Sequence, residues 1–255
     1  MIVALTREPA RDMSACELTY LGRQQVDAVR AAEQHRGYRR ALADCGARVV
    51  TLPALDELPD SVFVEDTAIV LDELAVLTSP GVASRQPELQ ANAPEIARLR
   101  PVAQIEPPAT IEGGDVLRVG RKIYVGLSPR TNLAGVAALS ALITPHGYEV
   151  YTVALRGCLH LKSGCTAIGD ETILANPDWI NASVFRNYEV VGVDGDEPWA
   201  ANTLRVGATV CVGAAFPRTA DMLARRGYDV RAVDVSEFAK AEGGLTCMSL
   251  LFQQP

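Results

Sequence analysis

Residues 117–131 read "LRVGRKIYVGLSPRT", and residues 204–219 read "LRVGATVCVGAAFPRT". Each stretch alternates apolar and polar residues on either side of a glycine-bearing turn, the pattern of a tight hairpin with one buried face. Each then passes through Pro-Arg-Thr into a helix-periodic segment, "NLAGVAALSALITPHGYEV" or "ADMLARRGYDV". Both segments leave through Gly-Tyr into another strand. The repeating unit is strand, strand, helix, strand, which makes the chain α/β.

With that template in hand, weaker copies become legible. Residues 61–81, "SVFVEDTAIVLDELAVLTSPG", supply a hairpin, and residues 88–99, "ELQANAPEIARL", its helix. Residues 166–180, "TAIGDETILANPDWI", supply another hairpin with a shorter helix behind it. The N-terminus offers the strand "MIVAL", the helix "QVDAVRAAEQHRGYRRALADCG" and the strand "ARVVTLP". That gives about five units, with the C-terminal strand joining the first unit to close a ring. No linker-like or low-complexity stretch interrupts residues 1–255, so one domain is expected.

The net charge of −7 with scattered basic residues argues against nucleic acid as a partner, and is compatible with a cationic small substrate. No apolar run reaches the ~18 residues needed to span a bilayer, and the N-terminus lacks the features of a secretory signal. A cytoplasmic protein without membrane contact is expected. The six cysteines form no C-x-x-C pair, and no Cys/His cluster has zinc-ligand spacing. Neither a metal nor a cofactor is expected.

In a ring of such units, polar residues at matching unit boundaries converge on the axis. The second unit opens on Asp60, Glu65 and Asp66 around the apolar "SVFV", read as a buried strand. The third opens on Glu112 in "TIEGGDVL", the fifth on Asn202 in "AANTLRV", and the fourth on His160 in "CLHLKSG". His160 lies between Leu159 and Leu161, so in a strand it faces opposite to them. Near the C-terminus, Cys247 follows Gly243-Gly244 in "EGGLTCMSLLF". Each residue also has a bland reading: solvated acids at strand ends, a turn-forming Gly-Gly, a hydrogen-bonded structural histidine, a packed cysteine.

Taken together they point to chemistry. A thiol attacks as thiolate and needs positive charge or a base nearby, whereas carboxylates raise its pKa. The set makes sense when the substrate brings the missing charge. A guanidinium held by Asp66 and Glu112 would lower the thiol pKa and set its carbon before the sulfur.

The blocks "LPDSVFVEDTAIV", "TIEGGDVL", "VGLSPRTN", "LHLKSG" and "GGLTCMSLLF" closely resemble, in order and spacing, the dimethylarginine dimethylaminohydrolases of the guanidine-modifying superfamily. "REPA" and "AEQHRGYRRAL" extend the likeness upstream. The resemblance implies a five-bladed, pseudo-symmetric α/β propeller. It implies that Cys247 is the nucleophile, that His160 is the acid for the leaving amine and then the base for water, and that Glu112 orients His160. It further implies that Asp66 and Glu112 together hold the guanidinium, that Arg85 and Arg130 take the amino-acid carboxylate, and that Asp60, Glu65 and Leu18 complete the pocket. Leu18 would belong to a lid over residues 12–26.

The implied reaction converts Nω-methylated arginine, mono- or asymmetrically dimethylated, to citrulline through an S-alkylthiouronium. An arginine-type deiminase, an amidinotransferase and a catalytically silent amino-acid-binding propeller are the alternatives. Ala241 stands where relatives often carry a larger apolar residue whose backbone meets the substrate. Residues 176–197 match no motif, and the pocket for the N-methyl groups is not legible. Arg218, the repeat's copy of Arg130, is expected at the surface. Cys165 stands five residues after His160 and invites a check of its distance from the site. The sequence admits a homodimer without specifying one.

Overall fold

The structure is a computed structural model that describes residues 1–254. The first unit is β1 (Ile2–Arg7), α1 (Ala28–Asp44) and β2 (Ala47–Leu52). The second is β3 (Ala68–Val70), β4 (Ala75–Leu77), α2 (Gln86–Leu99) and β5 (Val102–Gln104). The third is β6 (Val116–Val119), β7 (Lys122–Leu127), α3 (Leu133–Ile143) and β8 (Glu149–Ala154). The fourth is a single helical turn, α4 (Leu161–Gly164), then β9 (Cys165–Ala167), β10 (Thr172–Ala175) and β11 (Glu189–Gly192). The fifth is β12 (Leu204–Val206), β13 (Thr209–Gly213), α5 (Pro217–Arg225) and β14 (Asp229–Val233), after which come α6 (Ser236–Ala239) and β15 (Leu250–Gln253).

Five three-stranded sheets result, each with an antiparallel first pair and a parallel second pair. In the first sheet β15 fills the place of the missing first strand, with Val3 opposite Phe252 and Leu5 opposite Leu250. The chain ends are thereby paired with each other.

The repeated L-R-V-G has a physical cause. Gly120 and Gly207 occupy the left-handed region at φ +59° and +61°, which closes each hairpin turn at no Cβ cost. In both copies the arginine Nε, of Arg118 or Arg205, donates to that glycine's carbonyl at 3.1 Å. Its guanidinium then pairs at 2.6 Å with an aspartate of the preceding unit, Asp72 or Asp170. One motif thus shapes the turn and ties neighbouring units.

Strand alternation splits the core into five clusters, each between neighbouring units. On β7, Ile123 and Val125 pack toward the second unit, while Tyr124 packs toward the fourth. On β10, Ile173 faces the third unit and Leu174 the fifth. On β1, Val3 and Leu5 join the second unit, whereas Ala4 joins a cluster with Val206, Cys211 and Phe238 of the fifth. The contacts therefore return from the fifth unit to the first. Truncating a fully buried member such as Ile123 to alanine costs about 2–5 kcal/mol. The first strands of all five sheets line one shared cavity, through Val70, Leu117, Ala167, Leu204 and Leu251 among others.

Three local expectations change. Residues 61–64 are turn and 3-10 helix rather than strand: all four are buried, and the Phe63 carbonyl is taken by the Arg85 guanidinium. His160 is the N-cap of α4, not a strand residue, and Leu159, His160 and Leu161 are all buried. The fourth unit has only the 3-10 turn Ala182–Phe185 in place of a helix. Among the described residues, no helix is long and apolar enough to cross a membrane.

Candidate active site

Each sheet is entered by a short loop ahead of its first strand, and four of those loops carry Asp66, Glu112, His160 and Cys247. They meet in space. A pocket there is lined by Asp60, Phe63, Asp66, Arg85, Arg130, Leu159, His160, Ala241, Gly243 and Cys247, with Glu17 and Glu242 at its cover.

The carboxylates are wired by protein donors. Glu112, fully buried, bonds His160 Nε2 through Oε2 at 2.8 Å. Its Oε1 accepts from Gly81 N–H at 3.1 Å and from Arg130 Nη1 at 3.4 Å. Asp66 Oδ1 accepts from Gly114 N–H at 3.0 Å and lies 3.9 Å from His160 Nδ1. Its Oδ2 pairs with Arg85 Nη1 at 2.6 Å. Asp66, Glu112 and His160 offer ligand atoms within 4.8 Å of one another, a grouping that sequence spacing hides. Every one of those carboxylate oxygens already accepts a hydrogen bond, so the set is organised to hold protons.

Burial opposes charge on His160, but Asp66, then Asp115 and Glu112, overcome it and raise its pKa to about 9. The ring is an imidazolium at neutral pH. Burial works against the Asp66 carboxylate too, yet His160 and Arg85 hold it at about 2. Burial, with Glu65 and Asp66 adding to it, pushes the Cys247 thiol up to about 12. At neutral pH a protonated Cys247 sulfur thus shares the pocket with a protonated His160 ring.

Close backbone approach explains the glycines. A Cβ on Gly114 would sit 2.7 Å from both Asp66 Oδ1 and His160 Nδ1. On Gly243 it would enter the Phe63 ring at 2.2 Å, and on Gly244 it would meet Asn202 at 2.5 Å. The Gly244 N–H reaches Cys247 Sγ at 3.4 Å. The left-handed residue in this loop is not a glycine but Glu242, at φ +58°.

The family model described as N,N dimethylarginine dimethylhydrolase, eukaryotic, matches residues 19–191. The N(G),N(G)-dimethylarginine dimethylaminohydrolase of Pseudomonas aeruginosa is 37% identical, over 97% of this chain and 98% of that one. The chain belongs to the dimethylarginine dimethylaminohydrolase family. A cysteine-to-serine mutant of the Pseudomonas aeruginosa enzyme, solved with citrulline, superposes at TM-score 0.93, 36% identity and 98% coverage of both chains. A histidine-to-glycine dimethylarginine dimethylaminohydrolase solved as an adduct with S-methyl-L-thiocitrulline also scores 0.93, at 36% identity, covering 99% of this chain and 100% of that one.

In this member of the dimethylarginine dimethylaminohydrolase family, the pocket gathers Asp60, Asp66, Arg85, Arg130, His160, Ala241 and Cys247. Glu112 stands directly behind His160. Two other expected residues lie elsewhere. Glu65 is turned away: its Oε1 pairs with Lys162 at 2.5 Å and its Oε2 accepts from Thr246 Oγ1 at 2.7 Å, bracing the cysteine loop. Leu18 is half-buried in the segment over the pocket, but Glu17 is the residue that lines it.

Arg85 reaches the pocket wall with its fork spent on Glu88, Nε to Oε1 at 3.1 Å and Nη2 to Oε2 at 2.8 Å. Among the described residues, the Arg130 side chain bonds only Glu112, which leaves donors for a ligand. Asn202 clamps the cysteine loop, accepting from Thr246 N–H at 3.0 Å and donating to the Lys162 carbonyl at 3.0 Å. Arg218 is at the surface with Asp194 and Asp196, because Pro217 starts α5 one residue before it whereas Asn132 caps α3 after Arg130. Cys165 packs in the core beside Leu161, outside the pocket.

Asp115 was missed, and it is central. Its Oδ1 accepts from Leu161 N–H at 3.0 Å and its Oδ2 from Ser128 Oγ at 2.6 Å. Ser128 Oγ in turn accepts the Arg130 N–H at 3.0 Å. A buried aspartate following Gly-Gly was the available signal.

Proposed function

We propose that the chain hydrolyses Nω-methylated arginine to citrulline and the methylamine, with Cys247 as nucleophile. The observation that carries the proposal is the imidazolium of His160, held between Asp66 and Glu112 in the pocket of a buried, un-ionised thiol. Relatives solved with citrulline and as a thiocitrulline adduct support the same substrate class.

The substrate guanidinium enters beside Asp66, and its charge lowers the Cys247 pKa, so the thiol releases its proton to solvent water, His160 being already protonated. The thiolate forms a C–S bond to the guanidino carbon. As dimethylamine leaves, its nitrogen takes the proton of His160, and an S-alkylthiouronium remains. Neutral His160 then removes a proton from water as the oxygen attacks the same carbon. The C–S bond breaks as the carbonyl forms, the adduct's hydroxyl proton passes to the departing sulfur to restore the thiol, and citrulline leaves. Splitting the displacement in two lowers each barrier, and proton transfer to the amine contributes on the order of 10²- to 10⁴-fold. Arg130, with its free donors, is the first receptor for the amino-acid carboxylate. Arg85 joins it only where its fork leaves Glu88.

The five sheets form, on this reading, the blades of a closed propeller in one domain over residues 1–255. The cyclic order of the five clusters and the shared cavity support it. A cytoplasmic enzyme is the setting that fits six free cysteines. A homodimer remains an assignment for solution scattering.

The test is turnover of asymmetric dimethylarginine, monomethylarginine and arginine, assayed for citrulline and amine, with Cys247→Ser alongside. Citrulline and dimethylamine from the wild type alone support the proposal. Arginine turned over with release of ammonia would make it a deiminase, and transfer to an added amine an amidinotransferase. Ligand binding without any turnover would make it a silent binding module.

A further inference from the structure

Glu242 is the single non-glycine residue at positive φ among the described residues, and it stands between Ala241 and Gly243 of the pocket wall. A non-glycine side chain in that region is a cost the surrounding structure must offset. With glycine at the next two positions, nothing in the backbone calls for a glutamate here. The reason lies in the carboxylate.

Its Oε1 accepts from the backbone N–H groups of Thr19, Tyr20 and Leu21 at 3.1, 2.6 and 2.6 Å. Oε2 accepts from Thr19 as well, at 3.1 Å. Three successive amides converge on one anion, the geometry of a backbone anion nest. The segment is tied down again upstream, where Glu17 N–H donates to Asp60 Oδ2 at 3.0 Å and Ser84 Oγ donates to Glu17 Oε1 at 2.6 Å. Between the two ties it runs from Asp60 to Glu242, both of which line the pocket with Cys247, and Cys247 is 7% exposed. Leu21 also enters an apolar pocket with Trp199, Phe216, Val235 and Leu245, on the far side of the cysteine loop.

We propose that Glu242 is the latch of this cover and a positioning residue for the nucleophile loop. It joins the amides of residues 19–21 to the strained turn that leads to Gly244 and Cys247. Opening the cover and relaxing the loop are then one event. The inference rests on the reading of Cys247 as nucleophile for its kinetic arm alone.

The experiment compares wild type, Glu242→Gly and Glu242→Gln. Glycine fits φ +58° better than glutamate does, so Glu242→Gly removes the carboxylate without a backbone conflict. Glu242→Gln keeps the shape and one acceptor oxygen but loses the charge. Amide hydrogen exchange at residues 19–21 should accelerate at least about ten-fold in Glu242→Gly, with Glu242→Gln intermediate. Iodoacetamide labelling of Cys247 should accelerate in the same order, with the melting temperature of Glu242→Gly equal to wild type or higher. With methylated arginine as substrate, KM should rise more than kcat falls. Unchanged exchange at residues 19–21, or unchanged labelling of Cys247, in Glu242→Gly would overturn the latch. Activity lost in the wild type itself would refute the proposed reaction while leaving exchange and labelling to judge the latch.

Discussion

The ionisation of Cys247 offers the sharpest test of the chemistry. Burial, reinforced by Glu65 and Asp66, moves its pKa from 9 to about 12. Three units correspond to about 4 kcal/mol against the thiolate. At pH 7.5 roughly 3 molecules in 100,000 would then carry it. A guanidinium about 4 Å from the sulfur supplies an opposing ~4 kcal/mol at an effective dielectric near 20. That returns the pKa to about 9, and the thiolate fraction to roughly 3%. Ligand alone should therefore raise the thiolate about a thousand-fold.

The assay is the thiolate ultraviolet absorbance of wild type minus Cys247→Ser, titrated from pH 6 upward. It is run with and without guanidinium chloride at a non-denaturing millimolar concentration. The subtraction removes the other five cysteines. The free enzyme should show no step below about pH 10, and the cation should bring one into view at lower pH. A step below pH 7 in the free enzyme would refute the reasoning, because the resting state would then be a thiolate–imidazolium pair.

Three further outcomes follow from particular residues. His160 titrates at about 9 in the fold, above the free imidazole, so the stability its charge contributes is full below about pH 6.5 and is lost as pH rises through 9. The rate at saturating methylated arginine should fall over the upper part of that window as the proton donor is lost, and a flat profile to pH 10 would refute the assignment. His35 behaves oppositely: it is buried, both ring nitrogens lack partners, and burial, aided by Arg39, lowers its pKa to about 3. Its neutral form is favoured in the fold, so stability should fall by about 2 kcal/mol from pH 8 to pH 5, a loss that urea melts should show to be absent in His35→Leu. Asp115→Asn replaces one acceptor by a donor facing Leu161 N–H or Ser128 Oγ, and should cost about 1–3 kcal/mol in thermal melts. Its kcat should fall more than its KM rises, because the turn that carries His160 loses its tie at Leu161 N–H; wild-type kcat would refute that role.

The sequence by itself determined the unit. Gly120 and Gly207 at positive φ, each with an arginine folded back on the glycine carbonyl, are local devices, so L-R-V-G could be read as a hairpin twice over. Strand alternation likewise assigned each strand two faces, which the structure uses to pack against two neighbours. The polar residues at unit boundaries were legible because a repeat fixes its frame while varying what the frame carries.

Tertiary structure decided the rest, because the deciding contacts join residues far apart in the chain. Residues 61–64 and 159–161 read as strands, but side chains buried all round do not alternate, and their backbones turn to serve Arg85 and Asp115. Glu65 looked like a pocket acid until Lys162, 97 residues away, claimed it. The state of the site was likewise beyond the sequence. Burial first, then Glu65 and Asp66, keeps Cys247 a thiol, whereas Asp66, Asp115 and Glu112 overcome burial to keep His160 an imidazolium. Glu242 holds amides 221 to 223 residues distant. A sequence names the groups; only their burial and company set their charge.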